Sequence, residues 1–231
     1  MYSITYIVMF IVGIVIGRYM KYCICKMIAE CSQDTVGSIE ENSSCTYNIM
    51  KSIQFPLIEG VNGTLYILIL CVKGFNLESC MYCIITSVLL IISIVDWNTF
   101  EIPFILNKII FIASLVIMFI DWPNRLGHAV GFLAISVLLY LIFILSKGRA
   151  IGGGDIKLMA AAGLGLGASK IVVAFFMACI VGSVIHVLRM KITKKDHMLA
   201  LGPYLSLGIF ITMIYGDQLI NWYFNVLLSS Y

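Results

Sequence analysis

Two aspartates stand where this chain could do chemistry. Asp96 closes the uninterrupted apolar stretch Val88 to Val95, and Asp155 follows Ile151-Gly152-Gly153-Gly154 and opens another apolar stretch. Carboxylates at membrane depth or at the ends of spans are costly, so each one is a functional candidate. Two carboxylates a few ångströms apart in a poorly solvated place cannot both ionise readily. They share a proton, so one can act as base on a water while the other donates to a carbonyl, which is the chemistry of an aspartic protease. Residues without Cβ before Asp155 leave room for an extended substrate backbone and a water. From spacing alone a second reading stands equally open: an ordinary glycine turn, with Asp155 capping a helix. Glu59 and Glu101 fall at the same depth, where as anions they attract a basic substrate segment or are simply solvated. Lys157, two residues from Asp155, reads as a snorkelling lysine that could bias the pair towards one ionised carboxylate. Glu78, Asp121 and Asp217 read as solvated groups at the opposite face.

The elements that must hold these residues follow from composition. The 231 residues are 61% hydrophobic and 12% charged, against roughly 25% charged in an ordinary soluble domain. That excludes a soluble globular fold and a disordered chain. A net charge of +3, dispersed along the chain, implies no nucleic-acid partner. A crossing helix needs about 20 apolar residues, and eight runs offer themselves: 3–20, 60–73, 80–95, 104–120, 127–145, 156–168, 171–188 and 203–222. The second and sixth are short, and the sixth is rich in Ala and Gly, which suits a helix packed against others. No basic residue precedes the first run, so it stays as a helix with its N-terminus outside. Arg18, Lys21, Lys26, Lys51, Lys108, Lys147, Arg149, Lys157, Arg189, Lys191, Lys194 and Lys195 then lie at the cytoplasmic face, with Lys73, Arg125 and Lys170 outside. The expected fold is an all-α polytopic membrane bundle of about eight transmembrane helices. Its divisions are a first helix over 1–20, a short cytoplasmic insert over 21–58 and a membrane-embedded core over 59–231.

The residues also resemble a family. Gly152-Gly153-Gly154-Asp155-Ile156-Lys157-Leu158 reads as a GxGD motif with a hydrophobic-Lys-Leu continuation, and Asp96 with Ile102-Pro103 is similar to a first catalytic aspartate followed by an Ile-Pro pair. Gly13 and Gly17, Phe55-Pro56-Leu57-Ile58-Glu59, and Gly202-Pro203-Tyr204-Leu205 with Gly208 extend the likeness in the right order along nearly the whole chain. The chain resembles the type IV prepilin peptidases, membrane-embedded aspartyl proteases. The resemblance implies a catalytic pair Asp96 and Asp155. It implies cleavage of the short basic leader of prepilin or pseudopilin precursors at the cytoplasmic face of the bacterial inner membrane. No cofactor is implied for cleavage, and S-adenosylmethionine enters only if the new N-terminus is also methylated. The alternative from another class is a small proton- or ion-coupled transporter, which would place its carboxylates near the midplane and show two related halves.

Many relatives carry two Cys-x-x-Cys pairs in the cytoplasmic insert, four thiolates that suit zinc. This chain has Cys23-Ile24-Cys25, Cys31 and Cys45, with Asn48 three after Cys45, so zinc is not expected. A disulfide among Cys71, Cys80 and Cys83 stays open, and His128, His186 and His197 show no clustered ligand partners, so no metal site is assigned.

Overall fold

The computed structural model describes residues 2–33, 55–148, 151–192 and 200–229. Among them are eight α-helices and no strand: α1 Tyr2–Gln33, α2 Phe55–Lys73, α3 Leu77–Thr99, α4 Phe104–Ile120, α5 Arg125–Leu145, α6 Gly153–Leu166, α7 Ala168–Ile192 and α8 Gly202–Ser229. A single 3-10 turn, Trp122–Asn124, joins α4 to α5. Seven of the eight apolar runs read from the sequence each lie in one helix, and the sixth, 156–168, is broken at Gly167, after which Ala168 begins α7. Four helical segments are long and apolar enough to cross a membrane: Ile4–Ala29, Leu77–Thr99, Trp122–Leu145 and Ala168–Leu188.

One expectation needs correction. The first helix does not stop at residue 20 but continues to Gln33, so the beginning of the segment read as an insert is helical. Met20, Ile24 and Ile28 recur every four residues and are buried in the core, which extends the helix past the charges of Lys21 and Lys26. Cys23 and Cys25 ride on this helix two residues apart, and such positions do not face each other. Cys45 and the side chain of Cys31 lie outside the described residues. The sixth run is a helix of 14 residues, about 21 Å at 1.5 Å per residue, well short of a hydrocarbon core of about 30 Å. Its surface is almost wholly covered, with Asp155, Leu158, Met159, Ala161, Ala162, Gly163, Leu164, Gly165 and Leu166 all buried. The short helix is thus a central strut sheathed by its neighbours.

Small residues let the helices approach closely. A Cβ on Gly163 would lie 2.2 Å from the Gly131 carbonyl oxygen, so α5 and α6 cross through two glycines. A Cβ on Gly13 would lie 2.7 Å from the Gly63 Cα, which sets the α1–α2 contact in the same way. A buried polar chain ties α1, α2 and α3 together. The Asn62 amide donates to the Gly13 carbonyl at 2.8 Å, the Ser87 hydroxyl donates to the Asn62 Oδ1 at 3.0 Å, and the Tyr66 and Ser87 hydroxyls are 2.8 Å apart. These bonds fix helix rotation where apolar packing alone leaves it free.

Candidate active site

The last turn of α3 and the first turn of α6 meet at one end of the bundle. Asp96 is 4% exposed and Asp155 8% exposed, so both carboxylates are withdrawn from water. They line one cavity of about 380 Å³ with Phe100, Glu101, Ile102 and Gly152 to Gly154. The Gly202 N–H at the start of α8 donates to Asp96 Oδ2 at 2.8 Å. Asp155 lies in the first turn of α6, an N-terminal position that favours a carboxylate. Its Oδ1 is buried without a hydrogen-bond partner and is left for a ligand or water.

The chain around the aspartates is shaped to this end. Phe100 ends α3 in the left-handed region at φ 56°, its N–H bonded to the Asp96 carbonyl at 2.9 Å. The turn brings Glu101 and Ile102 back to the cavity before Pro103 caps α4. The glycine run is explained position by position. A Cβ on Gly152 would stand 3.2 Å from Asp155 Oδ2, and one on Gly154 would stand 2.9 Å from the Ile102 Cβ, while one on Gly153 would meet nothing. Gly154 is sterically required, Gly152 is tight against the tip of the Asp155 side chain, and Gly153 is open.

Other candidate residues fall differently. Glu101 lines the cavity with both aspartates. Glu59 does not, and its carboxylate is engaged by the Lys21 ammonium and, at 3.7 Å, by Arg18 on α1. Lys157 points its Nζ over the Phe104 ring at 5.1 Å from the centroid, a cation–π contact that anchors the start of α4 to α6.

The opposite end of the bundle carries a second cavity, about 400 Å³, that includes Glu78, Asp121, His128, Lys170 and Asp217. Its aspartates remain reached by solvent, as read from the sequence, and Asp217 is in addition ion-paired. Asp217 accepts from Lys170 at 2.9 Å and Lys73 at 3.5 Å, and Asp121 lies 3.3 Å from His128 Nε2. The Asn124 amide at 3.0 Å, and then the His128 ring, hold the Asp121 carboxyl below the usual carboxylate range against the cost of its partial burial. Asp121 is therefore the partner of His128 that sequence spacing did not reveal. Cys71, Cys80 and Cys83 are free thiols. No group of three or more His, Cys, Asp or Glu suited to a metal occurs among the described residues.

The chain has counterparts among known proteins. The profile of the type IV leader peptidase family matches residues 83–187. A prepilin leader peptidase/N-methyltransferase of Bacillus subtilis (strain 168) is 30% identical over 197 residues, covering 80% of this chain and 75% of the relative. The chain belongs to the type IV leader peptidase family. Relatives of the same name in Neisseria gonorrhoeae and Legionella pneumophila are 28% and 26% identical, and the chain spans 65% and 62% of their lengths. No solved structure matches.

The leader peptidase region runs from α3 into α7 and so takes in both aspartates. Two supporting residues went without a role in the sequence reading. Gly202 lies beyond that region, 106 positions from the aspartate it contacts. Asn107, 3% exposed in the first turns of α4, donates its amide to the Gly154 carbonyl at 3.1 Å and leaves its own Oδ1 buried and unpaired. An amide inside the apolar run Phe104 to Ile112 is the signal that could have found it.

Proposed function

We propose that the protein is a membrane-embedded aspartyl endopeptidase that removes the short basic leader of prepilin-like precursors, with Asp96 and Asp155 as its catalytic pair. The observation that carries the reading is the convergence of two nearly fully buried carboxylates on one cavity, Asp96 held by the Gly202 N–H and Asp155 Oδ1 free. Neighbouring carboxylates in such a place share one proton. The ionised member takes a proton from water as the water attacks the scissile carbonyl. The protonated member donates to the carbonyl oxygen, and collapse of the tetrahedral intermediate releases the amine. Gly153, whose missing side chain leaves open space, admits the extended peptide beside the pair, and Asn107 holds the turn that carries it. Glu101, on the same cavity wall, faces the basic leader.

In this reading all eight helices are arranged across the membrane with the N-terminus outside. The dyad then faces the cytoplasm, and residues 59–231 form the peptidase core. The relatives are peptidases by name, and the carrier alternative finds no support. Their names also include N-methyltransferase; the segment to which that activity would fall in this chain lies largely outside the described residues, so no step is assigned to S-adenosylmethionine and no ligand role to zinc.

The test is incubation of the purified protein in detergent with a precursor bearing a basic leader, a Gly at the cut and an apolar helix, followed by mass analysis. Wild type cuts once after the leader. Asp96→Asn and Asp155→Asn each lose cleavage at unchanged protein level, because one carboxylate cannot supply both base and acid. Substantial cleavage by either variant refutes the pair.

A further inference from the structure

Next to Asp96 along α3 and α8 lies a feature that the peptidase chemistry does not use. A groove of about 460 Å³ runs along α3 and α8, lined by Thr86, Leu90, Ser93, Pro203, Leu207 and Phe210 among others, with Leu65 of α2 at its side. Its lining is almost wholly apolar. On α3 the lining residues recur at helical spacing, and the next turn after Ser93 carries Asp96. On α8 the groove begins at Pro203, directly after Gly202, whose N–H holds Asp96. Both walls therefore end at the same carboxylate.

Ser206 supplies an independent sign that the groove has an occupant. It is 4% exposed, lines the groove, and its hydroxyl has no hydrogen-bond partner. An unsatisfied buried hydroxyl carries a desolvation cost, which a second helix relieves by bringing a carbonyl or polar side chain against it. Thr86, Ser93 and Ser206 keep the walls small, and small residues let helix backbones approach closely. The outer stripe of α2, Leu57, Gly60, Val61, Thr64 and Leu65, continues the same apolar track, and a Cβ on Gly60 would meet nothing.

We infer that the α3–α8 groove, flanked by α2, receives the apolar helix that follows the scissile bond of the precursor. The assignment rests on the peptidase reading above. A helix seated there has its end one turn from Asp96, so the scissile bond is delivered to the dyad by helix packing rather than by the leader alone. The groove is the element that selects membrane-embedded substrates.

The test compares two substrates cut by the purified full chain in detergent: a precursor with its apolar helix, and a peptide ending a few residues past the cut. Ser206→Phe and Leu207→Trp fill the groove; Leu138→Trp, on the exposed side of α5, is the control. The expected result is a fall of about tenfold in the preference for the helix-bearing substrate, carried by KM, since filling a packed contact surface costs about that much. A fall equal for both substrates, or none, overturns the assignment and leaves the groove to lipid chains. Failure of the wild type to cut either substrate is a separate outcome that overturns the peptidase reading and this inference with it. A measurement independent of variant folding is photocross-linking from position 207 in the Asp155→Asn protein. The precursor helix is captured from 207 and not from 138, and equal capture from both overturns the assignment.

Discussion

Gly202→Ala is the sharpest probe of how the dyad is held. The added Cβ would lie 2.7 Å from Asp96 Oδ2, some 0.7 Å inside ordinary van der Waals contact at 3.4 Å, and 2.9 Å from both the Cβ and the Cγ of the same aspartate. Because the root of the side chain is touched as well as its tip, turning the carboxyl does not relieve the clash. Nor can α3 retreat, since Val95 and Ile92 behind Asp96 are fully buried at 0% exposure and packed interiors yield little. The displacement must be shared by Asp96 and the start of α8, stretching the 2.8 Å bond from the Gly202 N–H. Misplacing a catalytic group by about 1 Å costs up to ~10²-fold in rate. The expected loss in kcat is therefore about 10- to 100-fold, or roughly 1.4 to 2.7 kcal/mol of barrier, with KM changed little.

The assay is single-turnover cleavage of the precursor, with thermal unfolding in detergent as the check on folding. Gly154→Ala and Gly153→Ala complete the series. The first meets Ile102 at 2.9 Å and should lose activity by about tenfold; the second meets nothing and should lose no more than about threefold, the scale of a glycine-to-alanine backbone effect. Cleavage by Gly202→Ala within about twofold of wild type would refute the steric argument. Equal losses at 153 and 154 would show that backbone freedom, rather than crowding, is what these glycines provide.

Three further outcomes follow from other parts of the structure. Asn107→Leu removes the bond to the Gly154 carbonyl, worth about 0.5–1.5 kcal/mol, and should lower kcat by up to about tenfold; an unchanged kcat would show that the turn holds itself. A cysteine replacing Lys147 should be shielded from a membrane-impermeant thiol reagent in intact cells, and one replacing Arg125 labelled, in a background freed of native cysteines; the reverse pattern would invert the topology. Asp121, with its carboxyl held below the usual range by Asn124 and His128, contributes stability that is complete above its unfolded value, about pH 3.9, and is lost as pH falls through its lower folded value. The thermal midpoints of wild type and Asp121→Ala should differ at pH 7 and converge below about pH 4; a gap constant across that range would mean that the contribution of Asp121 is not electrostatic.

Local pattern explains what could be read in advance. Each apolar run became a helix because a hydrophobic chain must satisfy its own backbone hydrogen bonds. Asp96, Asp155 and the glycines were visible because each breaks such a run. The extension of α1 past residue 20 was hidden, since Lys21 and Lys26 lower the apolar density while Met20, Ile24 and Ile28 keep the buried stripe. The shortness of α6 was legible, because its Ala- and Gly-rich run is itself short and suits a helix packed against others. Contacts over long sequence separation left no local trace. Gly202 reaches Asp96 across 106 positions and Lys73 reaches Asp217 across 144, and in neither case does a residue type or spacing point to its partner.

The two ends of the bundle show why residue type alone could not settle function. Both carry carboxylates beside a cavity of similar size. At one end Asp217 has Lys73 and Lys170, and Asp121 has Asn124 and His128, so the charge is answered within the fold. At the other end Asp96 and Asp155 form no ion pair with a cation among the described residues. Asp96 is held by the Gly202 N–H, and both aspartates are more deeply buried than Asp121 and Asp217. A buried carboxylate without a counter-cation is destabilising, and two together more so. Such an arrangement is sustained only where the packing around it over-determines the geometry, as the glycine crossings and the Asn107 bond do. The cost is retained at the end where a shared proton is useful. Filling the site of Asp96 and Asp155 with a cation, for example by Ile102→Lys, should accordingly raise the thermal midpoint while abolishing cleavage; a variant less stable than wild type would show that the uncompensated pair is not the source of the strain.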